Sequence, residues 1–425
     1  MSVAAADASF ERQPQVGTGG LIFRTAYRNI GRNRRRTWLT SGGIAFAVFL
    51  ITASIALQDG SYVGQRENAT GLLTGHVQLV HPLYPDKNKF EHTLVDVQAS
   101  LERVRAVPGV RNATARVEAF ALVSAGERSY AGQVLGMDVA REQQMLAFLG
   151  TLQDGRLPDR EDEMVIGTAL ARNLGATIGD ELVLLGSGKE GGVAALALRV
   201  SGVFQTGLKD IDRAVLVAPL GTVQEGFGLV DEAHLLVVQG RDPLEAQALS
   251  ERVSEALPSP VRARPWQELM PEVEQGIELD RVSGDFMYGI VMILVGFSIV
   301  NTFIMVMFER TREFGMLLAL GQRPWSIIGM VQLEAFGLWV LGTLLGWLLA
   351  APLIAYLTTV GITFGESMEQ LAEQMYMPSS IKAAITPRAL LTAPLVLLIA
   401  TQLAALLPSL RVRRLKPVEA LRQET

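Results

Sequence analysis

Charge is distributed very unevenly along this chain. Four stretches carry no Asp, Glu, Lys or Arg: Thr37–Gln58 (22 residues), Phe286–Phe308 (23), Ala335–Gly365 (31) and Ala389–Leu410 (22). Each is rich in Leu, Ile, Val, Ala and Phe. About 20 apolar residues of helix cross the hydrocarbon of a bilayer, and a charge at the centre costs ~2.5–3.5 kcal/mol on insertion scales. A buried helix of a soluble core usually keeps a polar stripe, and Trp339–Tyr356 shows none. The pattern therefore predicts four transmembrane helices. The first opens on Thr37, Thr40, Ser41, Gly42 and Gly43, small residues that predict close helix packing there. The third is longer than one crossing needs and predicts a tilt, or a break near Pro352.

Between the first two apolar stretches, residues 59–283 read differently. Short Val/Leu/Ile runs alternate with Gly, Pro and Asp turns. His76–His81 alternates as a strand does. Val97–Val107 has helical spacing and stops at Pro108-Gly109. Met164–Leu174 runs from strand into helix, with Gly175 placed to cap it. Glu181–Leu185 and Ala194–Phe204 predict paired strands about a turn at Gly186–Gly192. Ala214–Ala218 and His234–Gln239 predict further strands. Asp242–Leu257 predicts a helix with Leu244, Ala248 and Val253 on one face. The block is α+β. The fold class is thus a membrane protein of four transmembrane α-helices with a large α+β domain inserted between helices 1 and 2.

Composition sharpens this picture. The 425 residues include no cysteine, are 49% hydrophobic and 19% charged, and sum to a net charge of -5. This excludes a disordered chain and a disulfide scaffold, and a pI near 5.6 argues against a nucleic-acid partner. The net charge conceals an asymmetry. Asp59–Asp285 holds 21 basic and 33 acidic residues. The N-terminal segment, the loop after the second span and the tail together hold 15 basic and 6 acidic residues. The basic side is the cytoplasmic side, so both termini face the cytoplasm and the large domain lies outside. The first span reads as an uncleaved signal anchor. Leu21–Arg35 before it reads as an amphipathic helix on the inner leaflet or as a basic topology signal.

Several short motifs invite a chemical reading. Gly186-Ser187-Gly188-Lys189 resembles part of a phosphate loop, but Val183 and Glu190 stand where Gly and Ser/Thr are required. The following Val193, Leu196, Leu198, Val200 and Val203 alternate like a strand rather than opening a helix, so a hairpin turn is expected. His76, His81, His92 and His234 lack metal-ligand spacing on a helix. The acidic run Glu161, Asp162 and Glu163 reads as a solvated turn. No catalytic constellation and no metal site emerge.

The segment after the second span is more informative. Phe308–Leu320 (FERTREFGMLLAL) sets charged Glu309, Arg310, Arg312 and Glu313 beside apolar Phe314, Leu317, Leu318 and Leu320. Gly321 suits a helix C-cap and Pro324 can begin the next helix. Such a helix at the membrane face can dock into a groove on a cytoplasmic partner, or simply cover the interface.

These residues carry a resemblance. Asn301-Thr302, Glu309–Gly315 (ERTREFG) and Ala319-Leu320-Gly321 resemble the hallmark of FtsX-like, MacB-type ABC transporter permeases. Arg411–Leu421 resembles the family's closing motif, and Tyr27–Ile30 with Arg34–Thr40 its entry helix. Gly167–Leu184 and Val200–Phe204 resemble the macrolide-exporter periplasmic core. Length and Thr74–Pro82 (TGHVQLVHP) are most similar to the lipoprotein-releasing (LolC/LolE-like) permeases, although the hairpin Leu185–Val193 lacks the prolines of the carrier-binding hook.

The resemblance implies a bacterial inner-membrane permease of nine parts. A cytoplasmic amphipathic helix (1–36) precedes span one (37–58). The periplasmic core domain (59–283) precedes span two (286–308). A coupling-helix loop (309–325) leads to span three (327–359), a short periplasmic loop (360–388), span four (389–410) and a cytoplasmic tail (411–425). The chain itself would bind no cofactor. ATP and Mg belong to a separate ABC ATPase dimer beneath it, touched by Glu309, Arg310, Arg312, Glu313, Phe314, Leu317, Leu320 and Gly321. A second permease would complete the complex, with lipids, lipoprotein cargo and a periplasmic carrier or adaptor as further partners. ATP binding would be transmitted to the periplasmic domain mechanically. A cargo mouth would lie near Phe46, Phe49, Leu50, Met287, Ile290 and Met292. Efflux of periplasmic molecules and regulation without transport are the alternatives.

Overall fold

Five helices carry the apolar stretches and the loop between two of them: α1 (Arg34–Ala69), α2 (Pro271–Glu309), α3 (Thr311–Ala319), α4 (Pro324–Thr359) and α5 (Pro387–Ser409). The structure, a computed structural model, describes residues 34–414 apart from 88, 146, 190, 259 and 364–379. The segment before residue 34 and the closing motif beyond 414 lie outside the described residues. The chain divides into two compact units. Among the described residues, one is drawn from those up to 60, 281–361 and those from 382 on, the other from those within 61–280 and 362–381.

In the helical unit, α1, α2, α4 and α5 are each long and apolar enough to cross a membrane. Three helices overrun the charge-free stretches by a turn or more, α4 by starting at Pro324, eleven residues before Ala335. α1 continues past Gln58 to Ala69 and closes in a π-helical turn at Thr70–Thr74, and α2 already begins at Pro271. α4 does not break at Pro352 and runs unbroken to Thr359. A proline removes one N–H donor from the ladder, and a spanning helix tolerates this where neighbours pack against it. Ala350, Ile354 and Leu357 beside it are buried.

The close approach of α1 uses other glycines than the sequence pointed to. Space around Gly42 and Gly43 is open. Instead Gly342 and Gly346 of α4 admit the neighbouring helix: a Cβ on Gly342 would lie 2.7 Å from Ile44 Cβ, and one on Gly346 would lie 2.7 Å from Val48 Cβ. Ser41 does serve this contact, donating its hydroxyl to the Leu338 carbonyl at 3.1 Å. At the opposite end of the unit Arg388 gathers three helices. Its guanidinium meets Asp59 of α1 and Asp285 of α2 at 2.6 Å each. Thr386 donates to Asp59 and caps α5 by accepting from the Ala389 N–H.

The second unit is built on a ten-stranded mixed sheet: β1 (Val77–Val80), β2 (Val110–Ala125), β3 (Arg128–Met137), β4 (Leu152–Gly155), β5 (Glu163–Gly167), β6 (Glu181–Ser187), β7 (Val193–Phe204), β8 (Val215–Pro219), β9 (Leu235–Gly240) and β10 (Arg262–Pro265). Six strands close a ring. β2 pairs β3, β3 pairs β8, β8 pairs β5, β5 pairs β7, β7 pairs β6, and β6 returns to β2. Closure leaves these six without a free edge. β9, β1 and β10 extend from the first half of β2. The core combines inward residues of the ring, such as Val123, Ile166, Leu182, Leu184 and Leu216, with the helical residues Leu101, Leu170 and Val253.

The glycine-rich run ends β6 at Ser187 and turns into β7 between Gly188 and Gly192, and is not a phosphate loop. Gly191 sits at φ 76°, and the Lys189 ammonium is held by Glu232. Two expectations need correction. Glu161-Asp162-Glu163 is not wholly solvated: Glu163 opens β5, is buried, and is gripped by Arg156 through both carboxylate oxygens at 2.5 and 2.7 Å. The helix after Asp242 does not turn Leu244 and Ala248 inward; its buried face is Ala246, Leu249, Ser250 and Val253. Asp242 caps a 3-10 turn over Pro243–Glu245. Leu244 lies in that turn, and Ala248 and Val253 stand five residues apart in the α-helix, about 140° around its axis, so the three do not share a face.

His234 is fully buried beside β9. Its Nδ1 accepts the Glu118 N–H, and its Nε2 lies 3.1 Å from the Phe90 carbonyl, the arrangement of a neutral ring. Burial pushes its pKa down to about 4. The unfolded chain takes a proton near pH 6.5, whereas the folded ring refuses it until about 4. The stabilisation is therefore complete above pH 6.5 and declines as pH falls toward 4, by about 3 kcal/mol in all. His234→Gln should flatten the fall in unfolding free energy between these values, followed by denaturant titration at several pH values. An unchanged slope would assign the effect to other groups.

Candidate functional site

α3 is a short amphipathic helix with two different faces. On the inner face Phe314 is fully buried, Gly315 is buried, and Leu317 and Leu318 are half-buried against the helical core. Arg310, just before α3, also turns inward. Its Nε meets Glu313 at 2.9 Å, its Nη1 meets Glu334 of α4 at 2.8 Å, and the guanidinium lies 5.1 Å from the Phe314 ring centre. Glu334 is itself buried.

The outer face carries Glu309, Arg312, Glu313, Met316 and Leu320, all exposed, with Leu320 83% exposed. α3 stops because Gly321 adopts φ 88°, bringing its N–H to the Leu318 carbonyl at 3.1 Å and the Gln322 N–H to the Leu317 carbonyl at 3.0 Å. Pro324 then begins α4. Such a turn fixes the angle between helices because both ends are conformationally restricted.

Two neighbours extend the outer face. The 3-10 turn Leu410–Arg414 places the Arg413 guanidinium 4.9 Å over the Trp325 ring and the Arg411 guanidinium 5.8 Å over Phe308. Cation–π stacking holds arginines flat on aromatic rings while leaving their donors outward. The surface thus sets apolar Met316 and Leu320 among Glu309, Glu313, Arg312, Arg411 and Arg413.

The eight predicted coupling residues therefore divide. Glu309, Arg312, Glu313, Leu320 and Gly321 face outward, while Arg310, Phe314 and Leu317 face the bundle. Glu334 was not singled out from sequence, and Arg411 and Arg413 were read as part of the basic tail and closing motif but not as part of this surface. Glu334 left a signal, a lone acid inside an apolar helix. The arginine stacking left none, since it joins residues about a hundred positions apart.

Of the six residues expected at a cargo mouth, Phe46, Leu50, Met287 and Ile290 are exposed, and Phe49 and Met292 pack partly on the helical core. α1 and α2 meet where Gln58 faces Gly284 and Tyr288. Phe46 lies twelve residues before Gln58, about 18 Å along the helix, so it sits at a different depth from Met287. Phe286, Ile290, Ile293, Leu294 and Phe297 form one exposed apolar stripe on α2.

Comparison with known proteins joins the two units. The family model described as MacB-like periplasmic core domain matches residues 37–256, and that described as FtsX-like permease C-terminal matches residues 286–417. The chain belongs to the FtsX-like ABC transporter permeases with a MacB-like core domain. This permease is 23% identical over 422 residues to the lipoprotein-releasing system transmembrane protein LolC of Neisseria meningitidis serogroup B, covering 95% of this chain and 98% of that one. It is 21% identical over 413 residues to the macrolide export ATP-binding/permease protein MacB 2 of Aeromonas hydrophila, covering 92% of this chain and 59% of that one. Among solved structures, the periplasmic region of MacB from Actinobacillus actinomycetemcomitans aligns with 49% of the permease and 96% of that region, at 14% identity and a TM-score of 0.37.

Proposed function

We propose that this permease couples a separate cytoplasmic ABC ATPase to movement of its periplasmic domain, and that the work done is release of lipoproteins from the inner membrane. The observation that carries the coupling is the two-faced helix α3. Its inner face is fastened to the bundle by Phe314 and Arg310, and its outer face is exposed among the described residues. In this reading both termini are cytoplasmic, in keeping with the basic loops. A second permease pairs with this one, and the apolar stripe of α2 meets lipid or that partner. ATP and Mg are bound by the ATPase alone, so this chain is not itself an enzyme. Lipoprotein release is favoured by the near end-to-end alignment with LolC.

MacB-type efflux with an adaptor and an outer-membrane channel is the second reading. It is favoured by the hairpin between β6 and β7, whose residues 186–192 include no proline. Depletion separates the two. Lipoproteins retained in the inner membrane support release, and normal sorting of lipoproteins with loss of export supports efflux.

Leu320→Asp should weaken ATPase association at least tenfold, as expected when an exposed apolar anchor of an interface is lost. Insertion and thermal stability should be unchanged, because among the described residues Leu320 is 83% exposed. Co-purification with the ATPase in mild detergent reads the effect. Undiminished association would remove α3 from the interface.

A further inference from the structure

We propose that Glu334 is a positioning residue that ties the start of α3 to α4, so that α3 moves as a lever fixed at both ends. The proposal rests on the coupling function above and concerns how the push is passed on. Glu334 precedes the charge-free stretch Ala335–Gly365 and lies within α4. A carboxylate buried in a spanning helix is costly unless it is partnered. Its side chain is 3% exposed and meets Arg310 Nη1 at 2.8 Å.

Arg310 has its other edge on Glu313 of α3 and its face on Phe314. One guanidinium thus binds a carboxylate on each helix, and its planar, always charged fork suits that bridging. The lengths agree with this geometry. α3 has nine residues, about 13.5 Å, and Glu334 lies ten residues beyond Pro324, about 15 Å along α4. The C-terminal end of α3 is joined to the start of α4 by the turn Gly321–Pro324. Its N-terminal end reaches α4 one helix-length further on through Arg310 and Glu334. A helix joined at one end only can swing when its outer face is pushed. Joined at both, it transmits the displacement to α4.

The absence of native cysteine permits a direct test by spin labelling. A label at Ala319→Cys, on the exposed side of α3, reports the mobility of α3 in the full permease alone. A pair at Phe297→Cys and Leu348→Cys, both exposed, reports displacement of α4 against α2 when ATP is added to the complex with its ATPase. Glu334→Gln and Arg310→Gln should each free the Ala319 label. Each should also reduce the ATP-dependent distance change at least fivefold, with ATPase association kept within twofold. The double variant should be no worse than either single, since both remove the same tie.

An immobile Ala319 label in Glu334→Gln overturns the proposal, as does a full distance change, or single effects that multiply in the double variant. Should Glu334→Gln fail to insert, Arg310→Lys applies. It keeps the charge but lacks the fork, and should give an intermediate label mobility, whereas wild-type mobility overturns the tie. A freed label in Glu334→Gln together with no association between the ATPase and the unsubstituted permease would leave the tie standing and refute the coupling function.

Discussion

Arg116→Ala should destabilise the inserted α+β domain by about 3–5 kcal/mol, the cost of leaving one partner of a buried ion pair without the other. Arg116 of β2 is 2% exposed and Glu142, on the helix Val139–Met145, is 1% exposed. The guanidinium grips both carboxylate oxygens at 2.7 Å and donates a third bond to the Leu73 carbonyl at 2.6 Å. Leu73 lies in the π-helical turn that ends α1, so one side chain joins that turn, the sheet and a surface helix. Alanine would strand a buried carboxylate and a carbonyl. Thermal unfolding of the full chain in detergent should show the domain transition lowered by about 10 °C or more. Arg116→Met with Glu142→Leu, which removes both charges and keeps volume, should recover most of the loss. A single variant within 1 kcal/mol of the parent would show that water or another group compensates Glu142.

The second large effect lies in the bundle. Gly346→Leu should prevent α1 from packing on α4, because a Cβ there already falls 2.7 Å from Val48 Cβ and 2.8 Å from the Ala45 carbonyl oxygen. The backbone of α1 cannot yield to a side chain as a flexible neighbour would, so the helices must separate. Overpacking of even a few methylenes costs about 1–3 kcal/mol in a soluble core. In lipid, where helices associate through close packing rather than a hydrophobic drive, that suffices to undo the contact. Insertion of each span should persist, since hydropathy is unaltered, while yield of monodisperse protein in detergent collapses. Gly42→Ala and Gly43→Ala, facing open space, should be close to neutral. Equal damage from all three would place the tight contact elsewhere.

The glycines show what kind of feature is legible in a sequence. That small residues mark a tight contact of α1 holds for Ser41, but the glycines that admit the neighbouring helix lie on α4 and not at Gly42 and Gly43. Gly342 and Gly346, one turn apart, have the required spacing, but the partner that needs them lies about 300 residues away. The same holds for α3. Its C-terminal end, its amphipathic character and its turn were legible, because caps and periodicity are local, whereas its start at Thr311, after α2 runs on to Glu309, was not. The inward turn of Arg310 was not, because it depends on Glu334 arriving from the next helix. In the α+β block, the hairpin Glu181–Phe204 and the strand-to-helix passage at Gly167 were legible from alternation and glycine placement. The burial of Glu163 was not, since its acidic neighbours pointed to solvent and only Arg156 reverses that.

By itself, then, the sequence determined the four spans, the alternation of the inserted block and the hallmark residues that place the permease in its family. Bilayer thickness and charge cost act on contiguous segments and can be read in one dimension. Only the tertiary structure decided that β6 returns to β2 and closes a six-stranded ring, that Arg116 meets Glu142 on the face of β2 opposite Val117 and Val123, and that Arg310 serves the bundle while Leu320 serves the surface. Each of those depends on groups distant in sequence meeting where water is excluded. There a charge must find its partner, and which partner it finds is set by the path of the whole chain.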